Sequence, residues 1–159
     1  DLILRTPNLL WLLLTKRPEN FASMLPADWG RDGWQNVWLG VSCEDQARAD
    51  HRVPILLATP ARIRFLSCAP LLGPIDLACL GPNDALGGGI DDPPRIDWVI
   101  VGGESGRGHR PMDEAWAATI LTDCIFWGVA CFVKQMAGKA PIPPHLMVRE
   151  FPHPNGGLC

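Results

Sequence analysis

The chain has no tyrosine, no pair of cysteines at CxxC spacing, no excess of positive charge and no long apolar run. Each absence removes a class of function. The longest uninterrupted apolar run, Leu9 to Leu14, has six residues. A membrane helix needs about 20, and a secretory leader needs a basic start and a cleavage site. Neither pattern is present. With 14 Lys and Arg against 17 Asp and Glu, the net charge is −3. No basic stripe marks a nucleic-acid surface, so nucleic acid is not the expected partner. The six cysteines, at 43, 68, 79, 124, 131 and 159, have no histidine spaced to complete a zinc site. A chain of 159 residues that is 47% apolar can build a core without disulfide staples, so reduced thiols in a cytoplasmic protein are expected.

What is present is a repeating unit. Five short segments rich in Val, Ile, Leu and aromatics read as strands covered on both faces: 11–16, 37–42, 63–68, 97–102 and 130–135. Their starts lie 26, 26, 34 and 33 residues apart (11 to 37, 37 to 63, 63 to 97, 97 to 130), room for one crossover helix each time. The expected fold class is therefore α/β, a single domain of about five parallel strands with crossover helices. The clearest helix has Asp113 as N-cap, Glu114 in its first turn and Gly128 as its stop. A second begins near Glu44-Asp45, and Pro54 is expected to interrupt or restart it. Pro18 suits a first helical turn. Residues 80–95, dense in Gly, Pro and Asp, read as a surface insertion, and 140–159 as an irregular tail. Five units are too few for an eight-stranded barrel, which takes about 250 residues. The fold is either part of a barrel or an open doubly wound sheet, and both place ligands at the carboxyl ends of the strands. The opening at Asp1, with a helical segment running into a strand, is expected of the C-terminal part of a longer barrel.

Polar residues gather at those ends: Lys16 and Arg17, Ser42 and Glu44, Ser67, the run Gly102-Gly103-Glu104-Ser105, and Lys134 with Gln135. A shared ligand-binding cleft is the natural reading. In VGGESG at 101–106, two glycines after an apolar strand let backbone N–H groups approach a ligand, and Glu104 is placed to bind an amino group or act as a base. The same glycines also suit a plain tight turn. The pattern is neither GxGxxG nor a P-loop. Lys16 and Arg17 suit a carboxylate or phosphate. Lys134, on a strand, must face either the cleft or the helix layer. The expectation for Glu104 is a site beside Lys16 and Lys134. Cys43, Cys68 and Cys131 read as small core residues. No catalytic residue and no metal ligand is assigned within the chain.

The motifs LLLTKRPEN (12–20), NVWLGVSCEDQARAD (36–50), IRFLSCAPLLGPIDL (63–77), DWVIVGGESGRGHRPMD (97–113) and FVKQMAGK (132–139) together resemble an uncharacterised phage- and prophage-associated family. That family carries a three-cysteine motif like that of radical S-adenosylmethionine (SAM) enzymes. The resemblance implies a radical SAM-like, TIM-type barrel of which these are the later strands. It implies S-adenosylmethionine and an iron–sulfur cluster as cofactors of the full-length family, with none bound by this chain alone, because the three cysteines would precede Asp1. Gly103 and Glu104 would then meet the methionine amino group, while Lys16, Ser42, Ser67 and Lys134 line the cleft. Family members usually read SCEPLLGP where this chain has SCAPLLGP, so Ala69 replaces an acid at the third strand's mouth. The partners implied are the missing N-terminal barrel segment and a protein encoded nearby. The alternatives are a non-catalytic binding or assembly protein of mobile-element origin, and a degenerate fragment.

Overall fold

The computed structural model describes residues 2–78 and 94–152. Its element order is α1 (Leu2–Arg5), β1 (Trp11–Thr15), α2 (Phe21–Met24), β2 (Val37–Ser42), α3 (Gln46–Ala58), β3 (Arg64–Cys68), β4 (Trp98–Gly102), α4 (Glu114–Trp127) and β5 (Ala130–Gln135). All five expected strands form, each within a residue of the expected bounds. They build one sheet in chain order, β1-β2-β3-β4-β5, and every pairing is parallel. The protein is thus α/β with interleaved helices. Most of the expected insertion and the end of the expected tail lie outside the described residues.

Strand alternation divides the sheet into two chemically different faces. One parity (Leu39, Val41, Leu66, Val99, Val101, Val133) joins the apolar sides of both long helices in the main core. α3 contributes Ala49, Val53 and Leu56, and α4 contributes Ala117, Ile120, Leu121 and Cys124, spacings that put each set on one helical stripe. Each fully buried aliphatic side chain here stabilises the fold by about 1.5–3 kcal/mol. The other parity forms a separate cluster of Trp38, Ile63, Phe65, Trp98 and Ala130, with Ile100 and Phe132 partly buried beside it. Register sets Leu14, Gly40, Phe65, Trp98 and Ala130 in one row across all five strands. Gly40 is required there, because a Cβ on it would stand 2.4 Å from the Phe65 ring. Small beside large is how the row fills without voids.

The helix ends follow the sequence. The Asp113 carboxylate accepts from the Ala115 N–H at 2.9 Å, and Gly128 closes α4 in the left-handed region at φ 65°. Asp113→Ala should therefore cost about 1 kcal/mol, read as a lower urea midpoint with an unchanged slope. Pro54 behaves otherwise than expected. α3 runs without a break from Gln46 to Ala58, capped by Asp45, whose side chain accepts from Arg48 N–H. Pro54 is exposed, so water can replace the backbone bond it removes, while Val53 and Leu56 anchor the opposite side. Pro18 opens a 3-10 turn leading into α2, as its fixed φ favours.

The two sheet edges differ. The outer edge of β5 is covered in part by the tail: Arg149 bridges Phe132 in antiparallel fashion, Val133 N–H donates to Val148 O, and Glu150 N–H donates to Cys131 O. The segment 140–152 is therefore partly an edge cover, with a 3-10 turn at Pro144–Leu146. β1 has no strand on its outer side among the described residues, and Leu9, Leu10, Leu12 and Leu14 in and beside it are exposed.

Candidate functional site

The face away from the helices holds a cavity of ≈ 610 Å³. Its floor is the aromatic row around Phe65, Trp98 and Phe132, its rim carries Ser67, Ala69 and Lys134, and Arg149 and Phe151 close it on the β5 side. On the other side it is bounded by Leu12 and Leu14 of β1. The sequence-expected site residues divide into three groups around it.

Ser67 and Lys134 belong to the cavity, which settles the open choice for Lys134 in favour of the cleft face. Ser42 pairs directly with Ser67 in the register and is buried, so the two hydroxyls share one row below the carboxyl end.

Lys16 and Glu44 form a second cluster just above. The Glu44 carboxylate pairs with Lys16 Nζ through one oxygen and with Arg52 Nη1 at 2.8 Å through the other. Arg52, in the second turn of α3, also donates to Ser42 O at 2.7 Å and so ties the helix to the strand end. Burial alone pushes the Glu44 carboxyl up. The Lys16 hydrogen bond, a backbone hydrogen bond and the Arg52 charge outweigh it, leaving the acid below the ordinary value of 4.5. Arg17 is exposed beside the turn that starts at Pro18, outside the cavity lining. Arg52 carries no signal in the sequence alone, because Glu44 precedes α3 and Arg52 lies eight residues on, within the helix.

The glycine run forms the third group, and its role differs from the expectation. Glu104 does not meet Lys16 or Lys134. Its carboxylate accepts from Arg110 three times, from the backbone N–H at 2.8 Å, Nη2 at 2.8 Å and Nε at 3.2 Å. Those Arg110 contacts pull its pKa down to about 2. Gly103 leaves no room for a ligand: a Cβ there would stand 2.2 Å from the Ala137 nitrogen. Its N–H donates to Gln135 O, its carbonyl accepts from Gln135 Nε2, and the Glu104 carbonyl accepts from Gly138 N–H. Gly102 sits at a register shift between β4 and β5, close to Ala69 and Lys134. Gln135 is thus a clamp between two loops. Ser105 is exposed.

The cysteines are core groups. Cys43, Cys68, Cys124 and Cys131 are all buried in the helix-side core. Burial pushes the Cys43 thiol up to about 12 and the Cys68 thiol well above its ordinary value; Cys124 is raised first by its hydrogen bond with Cys131 and then by burial. Cluster and metal ligation needs accessible thiolates, so these four do not fit an iron–sulfur centre. Among the described residues no group of three or more His, Cys, Asp or Glu is placed to hold a metal ion. No described helix is long and apolar enough to cross a membrane.

Comparison with protein families matches residues 1–154 to one described as a protein of unknown function (DUF5131). The chain belongs to that family. The family description assigns no reaction. Comparison with curated proteins and with solved structures finds no match.

The strand aromatics of the cavity carry a signal in the sequence. Phe65, Trp98 and Phe132 each occupy the same strand parity, opposite the aliphatic positions that face the helices. Arg149 and Phe151 carried no such signal, because they lie in a segment without periodicity.

Proposed function

We propose that this DUF5131 domain forms the later strands of a radical SAM-like barrel and that the face away from its helices is the ligand-binding wall. The observation that carries this is that β1 and β5, the two outermost strands, line one cavity. In a flat sheet, strands four spacings apart would lie about 19 Å from each other. The sheet order without reversal and the placement of both long helices on one side support the same curling. The exposed edge of β1 is where earlier strands would pair.

In this reading the domain is cytoplasmic and supplies orientation and shelter from water, while cofactor chemistry belongs to a segment bearing the three cysteines. Glu104 lies outside the cavity lining and stays a candidate for an amino group only where that group displaces Arg110. Anaerobic reconstitution with iron and sulfide tests the assignment. Residues 1–159 alone should retain no stoichiometric labile sulfide, and the protein carrying the three-cysteine segment should show a cluster absorbance band and bind S-adenosylmethionine. A cluster on residues 1–159 alone, or none on the longer protein, would overturn it.

The same exposed edge favours one second reading, a non-catalytic assembly protein that pairs β1 with a partner's strand. A protein carrying the three-cysteine segment that binds no small ligand, yet captures a strand-bearing partner through β1, would support it.

A further inference from the structure

The cavity has a charge pattern that neither the family description nor the resemblance assigns. Two cations, Lys134 and Arg149, line it, and among the described residues no acidic one does. The nearest candidates for neutralising them are committed elsewhere: Glu44 to Lys16 and Arg52, Glu104 to Arg110, and a Glu150 carboxylate oxygen to Cys131 N–H. Lys134 forms no ion pair among the described residues. Arg149 rests over the Phe132 ring at 5.3 Å, which holds its guanidinium at the cavity edge while its N–H fork has no partner among the described residues. Beside these cations the lining is largely aromatic: Phe65, Trp98, Phe132 and Phe151, with Trp98 and Phe151 ring centres 5.2 Å apart.

An apolar floor favours a flat hydrocarbon body, and uncompensated cations at its edge favour a negative headgroup. Water alone on such a surface would leave both terms unused. We infer that this cavity binds a flat, largely apolar organic anion, an aryl carboxylate or aryl phosphate, with Lys134 and Arg149 on the anionic group. The inference rests on the reading of this face as the ligand wall and adds the class of ligand.

Calorimetric titration of the purified protein with 1-naphthyl phosphate, 1-naphthoate and 1-naphthol tests it, the two anions distinguishing phosphate from carboxylate. At least one anion should bind about tenfold or more tightly than 1-naphthol. Lys134→Gln and Arg149→Gln should each weaken that anion about tenfold and leave 1-naphthol unchanged, and Arg149→Lys should recover part of the loss. Both positions are exposed, and near-ultraviolet circular dichroism of each variant verifies that the aromatic cluster is intact. Equal affinity for anion and naphthol, or anion binding untouched by either Gln variant, overturns the charge assignment while leaving a ligand-binding face. Binding of none of the three overturns both.

Discussion

Gly103→Ala is expected to destabilise the protein by at least about 3 kcal/mol, the upper range for forcing atoms into a filled space. The added methyl would sit 2.2 Å from the Ala137 nitrogen and 2.6 Å from its Cα, so the obstacle is backbone and no rotamer change relieves it. Moving that backbone breaks the reciprocal bonds between Gly103 and Gln135 and the Glu104–Gly138 bond, which together join the β4 and β5 ends. The neighbouring glycines supply the contrast. At Gly102 a Cβ would meet side chains at 3.4–3.7 Å, ordinary contact, and at Gly106 it would meet nothing within 4 Å. Urea midpoints should therefore fall sharply for Gly103→Ala and little for the other two. Equal midpoints for all three variants would mean that the loop relaxes freely, and that the glycine run is there for ligand approach after all.

Glu44→Ala should cost about 3–5 kcal/mol, because it strands a cation rather than merely removing an attraction. Arg52 is 14% exposed and would lose its carboxylate partner, whereas Lys16, at 61%, returns to water almost without penalty. Lys16→Ala should accordingly cost at most about 1 kcal/mol. The same pairing predicts a pH dependence. The Glu44 carboxyl is lowered in the folded protein, so the unfolded chain takes up its proton first as pH falls. Its stabilisation is complete above the ordinary value of 4.5 and is lost as pH drops through the lower folded value. A stability profile from pH 7 to pH 3 should show this acid-side loss in the wild type and a smaller slope in Glu44→Gln. Parallel profiles would assign the acid lability to other carboxylates. Glu104, also lowered, is more open to solvent and should contribute less.

Much of the architecture lay in local pattern. Strand identity follows from short Val-, Ile- and Leu-rich runs, and the connection lengths leave room for crossovers, so a parallel α/β sheet is legible in the sequence. Helix ends were legible for the same local reason: Asp113 and Gly128 act on backbone groups within a few residues of themselves. Pro54 shows the limit of local reasoning. Its cost is local, but whether it breaks α3 depends on what Val53 and Leu56 gain by burial in the core.

The site was legible by address and not by function. Sequence placed Lys16, Ser42, Glu44, Ser67, Glu104 and Lys134 at the carboxyl ends of strands, and those ends do come together. Which group partners which is decided by sequence-distant neighbours: Arg52 takes Glu44, Arg110 takes Glu104, and Ala137 fills the space beside Gly103. A glycine that frees space for a ligand and one that yields space to another strand look the same in a sequence. Likewise the tail residues Arg149 and Phe151 reach the cavity only because β5 pairs with the returning chain. Periodicity reports what each residue does relative to its own strand or helix. Electrostatic pairing and close contact depend on distances between elements, and those distances exist only once the sheet has assembled.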